Sequence, residues 1–167
     1  MKQFFSCSIE QDAFLSAVHT ALSGARCTTA WAGVGNALYV GFELPGGTYT
    51  ETPRTPSRRR ELSTAFCRWT IAQGQHLLCT DEDSRAAVLE VLSQLISQTI
   101  NRLEVERDAW LMQVSFSNDL ILKLSPYTIV EVGVEEAETD AWVVQEREKY
   151  YSVSCAGELT EGEYKTT

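Results

Sequence analysis

"CRWTIAQGQHLLC", residues 67–79, places two short apolar runs on either side of a glycine-containing turn, with a cysteine at each end. This pattern predicts a β-hairpin. A second stretch, "DAWVVQEREKYYSVSC" at residues 140–155, has the same outline, with a tryptophan, apolar positions and a final cysteine. We therefore expect each stretch to form the closing hairpin of one half of the protein.

Apolar landmarks recur along the chain at a spacing of 73 residues. Trp69 and Trp142 are separated by this spacing, whereas Phe42 and Phe116 are 74 residues apart, as if the second half held one more residue. The spacing of 73 also joins Leu15 with Val88, Val18 with Val91, Leu22 with Leu95, and Ile71 with Val144. A fixed period indicates an internal duplication, although a chance match of two ordinary α+β units would give the same pattern.

Each half is predicted to begin with a helix. "SIEQDAFLSAVHTALSG" offers Ser8 as its N-cap and Gly24 as its stop signal. "TDEDSRAAVLEVLSQLIS" offers Thr80 or Asp81 as its cap. Apolar runs that alternate with turn residues follow each helix and predict antiparallel strands.

The predicted fold class is therefore α+β, with two antiparallel sheets, or one long sheet, and helices packed on one side. Residues 1–79 form the first repeat, which includes a Pro/Arg-rich loop at residues 45–60. Residues 80–159 form the second repeat, and residues 160–167 form a flexible tail.

Two cysteines are predicted to face each other across the first hairpin, because residue 73, midway between Cys67 and Cys79, lies at the turn. Cross-strand disulfides are strained and uncommon, so we expect reduced thiols, with a disulfide as the alternative. The chain has five cysteines without CxxC spacing and only two histidines. This composition favours buried thiols over a metal site, and no metal is expected.

The charge of the chain is uneven and acidic. Its formal net charge is −9, and most of the acidic excess lies after residue 100. An acidic surface repels phosphate backbones, so nucleic acid is an unfavourable partner and a basic protein is a suitable one. A solvated acidic face that only keeps the protein soluble is the alternative.

No membrane or secretion signal is evident in the sequence. No apolar run approaches the roughly 20 residues that span a bilayer, and the first residues are too short for a secretory segment. We therefore expect a cytoplasmic location and no membrane partner.

Catalytic motifs are absent from the sequence. There is no nucleophile elbow, Walker loop, zinc-protease motif or dinucleotide fingerprint. "GVGNA", residues 33–37, precedes a predicted strand and not a helix, so it is interpreted as a turn and not as a phosphate cradle. We expect no enzyme activity and no cofactor.

Two connections of opposite charge are candidate partner-binding segments. The basic one contains Arg58, Arg59 and Arg60, and the acidic one contains Glu135, Glu136, Glu138 and Asp140. Exposed aromatic side chains are expected to anchor the partner, and the candidates are Tyr127, Trp31 and Trp110. A solvated, mobile basic loop without a binding role is the alternative.

Residues 20–159 resemble a group of small bacterial proteins without assigned activity, some of which look like immunity proteins of polymorphic toxin systems. The resemblance lies in the order of "GARCTTAW", "LYVGFE", "STAFCRW" and "LLCTDED", followed by "LISQTINRLEVE", "LMQVSFSNDLILKL", "DAWVV" and "GEL". It implies a non-catalytic inhibitor that occludes the active site of a cognate toxin with a basic surface. No residue role is carried over, and the Pro/Arg-rich insertion departs from the outline. A module that binds a small ligand between the two halves, and an unrecognised enzyme, are the alternatives.

Overall fold

A computed structural model of the chain describes residues 2–44 and 60–166. Strands hold 52% and helices 19% of these residues. The strands are β1 (Lys2–Ser8), β2 (Arg26–Ala32), β3 (Leu38–Glu43), β4 (Arg60–Thr64), β5 (Cys67–Gln73), β6 (His76–Thr80), β7 (Ile100–Glu106), β8 (Leu111–Phe116), β9 (Leu120–Pro126), β10 (Asp140–Glu146), β11 (Lys149–Ser154) and β12 (Leu159–Thr166). The helices are α1 (Gln11–Leu22), α2 (Arg85–Ser93) and α3 (Ile129–Val132), and Val34–Asn36 form a 3-10 turn.

The predicted α+β class is wrong, because the fold is predominantly antiparallel β. Seven strands form one sheet in the order β1-β12-β11-β10-β4-β3-β2, and five form a second in the order β6-β5-β9-β8-β7. The apolar inner faces of the two sheets pack on each other, so most of the core lies between the sheets and not under a layer of helices. Instead, α2 contacts β2 of the larger sheet and β6 of the smaller, and α1 contacts β7, β10 and β11.

The two halves of the chain exchange their closing hairpins. The chain from α1 to β6 and the chain from α2 to β11 have the same order: a helix, three strands in one sheet, and a hairpin in the other sheet. The hairpin β5-β6 therefore pairs with β9, and the hairpin β10-β11 pairs with β4. As a result, each sheet contains strands of both halves, and residues 1–79 and 80–159 are not separate bodies.

Equivalent hydrogen bonds occur in the two halves. The indole Nε1 of Trp69 donates to the carbonyl of Asn36 at 2.8 Å, and that of Trp142 donates to the carbonyl of Trp110 at 3.0 Å. Asn36 and Trp110 both have positive φ angles, 55° and 51°. Each tryptophan thus fixes the turn that begins a strand of the opposite sheet.

Equivalent hydrogen bonds also occur at the seam between the sheets. The amide of Cys27 donates to the carbonyl of Gln98, and the amide of Ile100 donates to the carbonyl of Ala25, both at 2.8 Å. Cys27 and Ile100 are 73 residues apart, as are Ala25 and Gln98. The starts of β2 and β7 are therefore joined by two bonds between residues that correspond in the two halves.

Aromatic side chains fill the interior between the sheets. The rings of Phe42 and Phe116, one from each sheet, lie 6.4 Å apart and nearly parallel. Trp69 and Trp142 are fully buried, and α1 contributes Phe14, whose ring lies 5.6 Å from that of Trp142. The tryptophans of both hairpins are thus core residues.

The helix starts differ from the predicted caps. Ser8 belongs to β1, and Glu10, which precedes α1, makes no side-chain cap bond. Ser84 caps α2 by accepting a hydrogen bond from the amide of Ala87 at 3.3 Å, so neither Thr80 nor Asp81 is the cap. Ser8 and Thr80 fail as caps because each still belongs to a strand, and Asp81 lies in the turn that precedes Ser84.

Cys67 and Cys79 do not face each other. Cys79 lies opposite Ile71, and Cys67 lies opposite Pro126 of β9. The register of the hairpin shifts between Ile71 and Ala72, where β6 holds one extra residue. Ile71, which lies opposite Cys79, is four residues from Cys67 along β5. At the usual strand rise these four residues span about 13 Å, which is too far for a disulfide between Cys67 and Cys79.

The end of the chain is also more ordered than predicted. Residues up to Thr166 form β12, which lies between β1 and β11, where a flexible tail was expected. The sequence analysis also missed β1, which pairs with β12 over seven residues.

Within residues 2–44 and 60–166, no helix has the length and apolar character that crossing a membrane requires.

Candidate partner-binding surface

The outer face of the seven-stranded sheet carries a set of aromatic side chains. Side chains alternate between the two faces of a strand, and in β3 Leu38 and Val40 point into the core, so Tyr39 points outward. We call this outer surface the aromatic face, and its aromatic members are Phe4, Trp31, Tyr39, Tyr150 and Tyr164.

Trp31 and Tyr39 form a stacked pair on this face. They lie directly opposite each other on β2 and β3, and their rings are 4.3 Å apart with an angle of 10° between the planes. Trp31 is 47% exposed. A Cβ at Gly33 would lie 3.0 Å from the ring of Tyr39, so glycine lets the pair lie close to the turn. Val34, in the same turn, is 98% exposed and extends the apolar surface.

A second aromatic cluster lies at the other side of the face. Tyr150 of β11 covers Gly162 of the adjacent strand, where any Cβ would clash with its ring. Phe4 stacks on Tyr150 with 5.0 Å between ring centroids, and Tyr164 is 5.1 Å from Phe4. Burial raises the pKa of Tyr150, and the charge of Asp140 raises it further. The hydroxyl is therefore neutral at physiological pH.

The acidic loop, residues 133–140, leaves the sheet at the end where Trp31 lies. β2 ends, β3 begins, β4 ends and β10 begins at this same end. The four predicted carboxylates are all exposed, and none forms a salt bridge with a described residue: Glu135, Glu136, Glu138 and Asp140. Val134 beside them is 82% exposed. The structure thus places acidic and apolar groups together at one end of the aromatic face.

Tyr127 is a half-buried residue and not a free anchor. The guanidinium of Arg68 lies over its ring, 4.7 Å from the centroid, and Arg68 also forms an ion pair with Glu131 of α3. The pKa of Glu131 is lowered, first because the backbone amide of Thr128 donates to its carboxylate and second because Arg68 does. These contacts tie the base of the acidic loop to β5.

Trp110 and Arg60 are not at the surface, contrary to prediction. Trp110 is 5% exposed, and its ring packs edge-on against Phe14 of α1, 5.7 Å away. Arg60 points inward from β4 and donates to the carboxylate of Glu146 at 2.8 Å. Trp110 lies in a turn with positive φ that directs its ring inward, whereas strand alternation directs Arg60 inward. The remaining basic candidates, Arg58 and Arg59, lie outside the described residues.

In the described residues, buried aromatic rings occupy the interior between the sheets, where a ligand pocket was the alternative prediction. A groove of about 700 Å³ lies instead on the five-stranded sheet. Polar and charged side chains line much of it: Arg68, Thr70, Glu104, Glu106, Gln113 and Lys123.

The buried thiols of Cys27, Cys67 and Cys79 show no sign of activation. Burial raises the pKa of Cys27 and of Cys67 to about 12, and that of Cys79 to about 11. None of the five cysteines is in a disulfide, and Cys7 is the exposed one. Within the described parts of the chain, no group of three or more His, Cys, Asp and Glu side chains is placed to hold a metal ion.

Sequence reasoning found one member of the aromatic face and missed the others. Trp31 was a candidate, but Tyr39 and Tyr150 were not, although the alternation in "LYVGFE" and "KYYSVS" gives the signal. Phe4 and Tyr164 were missed because β1 and β12 were not predicted as strands. Val34 and Val134 carry no sequence signal, because exposure of a valine in a turn depends on the tertiary fold.

Comparisons with known proteins were negative. No family model, no curated protein and no solved structure matches this chain. No residue role is transferred from another protein, and the resemblance to immunity proteins stays a prediction.

Proposed function

We propose that this protein is a non-catalytic inhibitor that binds a protein partner through the aromatic face and the acidic loop. The observation that carries the proposal is the exposed, stacked pair of Trp31 and Tyr39 beside this loop. At the equivalent positions of the five-stranded sheet the residues are Glu104 and Gln113. The aromatic pair is therefore a property of one face and not of the fold.

Physical chemistry favours this pair as a binding anchor. Tryptophan and tyrosine dominate the small set of residues that carry most of the free energy of protein association. Because the two rings already stack on a rigid sheet, little conformational entropy is lost when a partner covers them. Val34 at the tip adds apolar area that water now covers.

The acidic loop specifies the chemistry of the partner. Four exposed carboxylates on a chain with a net charge of −9 attract a basic protein surface. Such charges act mainly on the association rate, and salt screens them over about 8–10 Å. The proposed partner is a toxin domain with a basic active-site cleft, which is the partner class that the sequence resemblance implies.

Affinity capture with paired variants tests the binding surface. The immobilised protein, its Trp31→Ala/Tyr39→Ala variant and its Glu104→Ala/Gln113→Ala variant are exposed to lysate of the native cell. We expect the first variant to lose a partner that the wild type and the second variant retain, since the two pairs occupy equivalent positions on opposite sheets. Equal capture by both variants would contradict the proposal.

A kinetic measurement tests the acidic loop. Changing Glu135, Glu136, Glu138 and Asp140 to their amides is expected to slow association with the captured partner about 3- to 10-fold at low salt, with dissociation nearly unchanged. Surface plasmon resonance at two ionic strengths measures both rates. An unchanged association rate at low salt would mean that the loop is only a solvated face.

A small-ligand-binding role is a second candidate, and the groove on the five-stranded sheet favours it. Its concave shape and mixed charges suit a polar ligand of low molecular mass. Lys123→Ala is the corresponding test: it is expected to abolish binding of such a ligand in a thermal-shift screen of metabolites and to leave capture of a protein partner unchanged. A screen without any stabilising compound would argue against this role.

A further inference from the structure

The groove on the five-stranded sheet separates negative from positive side chains. On one side, β7 contributes the carboxylates of Glu104 and Glu106, and on the other side β9 contributes the ammonium group of Lys123. β8 lies between these two strands. Its outward-pointing residues in the groove, Leu111 and Gln113, carry no charge. The two sides of the groove therefore have opposite charges, and an uncharged strand lies between them.

The register of the strands fixes the distance between the two sides. Glu104 lies opposite Gln113, and Gln113 lies opposite Lys123. Because neighbouring strands are about 4.8 Å apart, the Cα atoms of Glu104 and Lys123 are about 10 Å apart. A ligand between their side chains also needs about 2.8 Å at each end for a charge-assisted hydrogen bond, so its own charges are about 4–7 Å apart.

Charged groups on both sides are available to a ligand. Glu106 and Lys123 form no salt bridge with a described residue. Glu104 pairs with Arg102, but both side chains are well exposed, and such pairs are weak in water. Arg68, on the positive side, is already paired with a carboxylate of α3. Lys123 is therefore the principal cation for a ligand, and Glu106 is the principal anion.

We propose that this groove binds a zwitterion of the size of a dipeptide, with its ammonium group toward β7 and its carboxylate toward β9. The inference rests on the small-ligand role given above as the second candidate, and it specifies the ligand. Two residues span at most about 7 Å, which matches the separation of the charges. A phosphate ester would meet the carboxylates of β7, and a polyamine would meet Lys123, so the groove disfavours both.

The uncharged groups of the groove suit the rest of such a ligand. Thr70 and Ser125 lie on the positive side, where their hydroxyls can donate to a carboxylate. The amide of Gln113, in the middle, can both donate to and accept from a peptide group. Leu111 is partly exposed and offers an apolar contact to a side chain. Each polar group of a dipeptide therefore has a complementary group in the groove.

A titration of the full chain with alanyl-alanine, followed by ¹⁵N–¹H correlation spectra, tests this inference. We expect a dissociation constant of about 0.1–5 mM, because the ligand is small and its charged partners are exposed. The largest shifts are expected at residues 104–106, 111–113 and 123–125. N-acetyl-alanyl-alanine and alanyl-alanine amide each lack one charge, and each is expected to bind about 3- to 5-fold more weakly.

A charge-reversed variant separates a charge-selected site from a merely polar groove. Lys123→Glu is expected to invert the preference, so that the amide, with its single positive charge, binds more tightly than alanyl-alanine. Arg147→Glu makes the same change of charge in the exposed turn between β10 and β11 and is expected to keep the wild-type preference. If Lys123→Glu does not fold, Lys123→Gln is the second variant, and it is expected to bind both compounds equally.

Two results would overturn the inference. One is equal binding of alanyl-alanine and its two blocked forms by the wild type, or no binding of any of them. The other is the same preference in Lys123→Glu as in Arg147→Glu. If a different compound of the metabolite screen binds through Lys123 while alanyl-alanine does not, this inference fails and the small-ligand role stands.

Discussion

One row of side chains across the outer face of the seven-stranded sheet consists of Trp31, Tyr39, Ser63 and Val143. The equivalent row across the five-stranded sheet consists of Glu104, Gln113, Lys123 and Thr70. The two rows occupy the same places in the five strands that the sheets have in common. One row is uncharged and holds two aromatic side chains, and the other is polar and holds two charged side chains.

The inner faces do not differ in this way. Phe42 corresponds to Phe116, and Trp69 corresponds to Trp142, and all four are buried. Close packing constrains residues inside the sandwich, where a lost methylene group already costs stability. The outer faces lack that constraint. Their residues are therefore freer to differ between the two sheets.

The largest expected effect comes from exchanging the two faces. Trp31→Glu with Tyr39→Gln gives the aromatic face the residues of the other sheet, and affinity for the captured partner is expected to fall more than about 100-fold, since two anchors are lost. Folding stability is expected to change by less than about 1 kcal/mol, because both side chains are at the surface. Biolayer interferometry and urea unfolding measure the two quantities. The reverse exchange, Glu104→Trp with Gln113→Tyr, is the control and is expected to leave affinity unchanged.

The buried tryptophans test the equivalence of the two halves. Trp69→Phe and Trp142→Phe each remove indole volume and leave one turn carbonyl without its donor, so each is expected to cost about 2–4 kcal/mol in the free energy of unfolding. Trp31→Phe, at the surface, is expected to cost less than about 0.5 kcal/mol. Urea unfolding gives all three values. If the losses in unfolding free energy of the Trp69 and Trp142 variants differed by several kcal/mol, the two halves would not be equivalent.

The pair of Arg60 and Glu146 tests a place where the inner faces do differ. The equivalent positions hold Leu120 and Gln73, and the Nε of Arg60 is buried without a partner among the described residues. Arg60→Leu alone leaves a partly buried carboxylate and is expected to cost about 1–2 kcal/mol. Adding Glu146→Gln is expected to bring stability back to within about 1 kcal/mol of the wild type. Thermal and urea unfolding measure this recovery, and its absence would show that the pair itself is needed.

The smallest expected effect concerns Cys27, whose equivalent is Ile100. Burial raises the pKa of Cys27 from 9.0 to about 12, so the native state holds its proton while the unfolded state releases it above pH 9. Its contribution to stability is therefore complete below pH 9 and is lost as the pH rises toward 12. Between pH 8 and 9.5 the loss is expected to be about 0.8 kcal/mol. Cys27→Val lacks this loss, and an identical pH dependence of unfolding in both proteins would contradict the assignment.

Sequence reasoning reached the local features of this fold and missed the long-range ones. The hairpins around residues 67–79 and 140–155 and the turn at residues 118–119 follow from alternation and turn chemistry, and the structure confirms them. The pairing of β4 with β10 joins residues about 80 positions apart, and no local pattern encodes that partner. The wrong fold class follows from the same cause: the two predicted helices are easy to detect, whereas the edge strand β1 and its neighbour β12 depend on each other.

The same limit applies to the candidate site: its local features could be predicted from the sequence, and those that depend on the tertiary fold could not. Exposure of the acidic loop follows from its composition. Trp31 and Trp110 both precede a strand-rich segment and look alike in sequence, yet one is exposed and the other is buried beneath α1. The difference arises because Trp31 lies within β2 and points outward, whereas Trp110 lies in a turn with positive φ that directs its ring inward.

Hydrogen exchange of the free protein and of its complex with the captured partner tests the central claim most directly. If the aromatic face is the binding surface, peptides that cover residues 26–43 are expected to gain protection in the complex, and those that cover the equivalent residues 100–116 are expected to remain unchanged. The matched pair removes effects of general stabilisation, since both segments have the same strand order and register. Protection of residues 100–116 without protection of residues 26–43 would show that the partner binds the other sheet, and the account would be wrong.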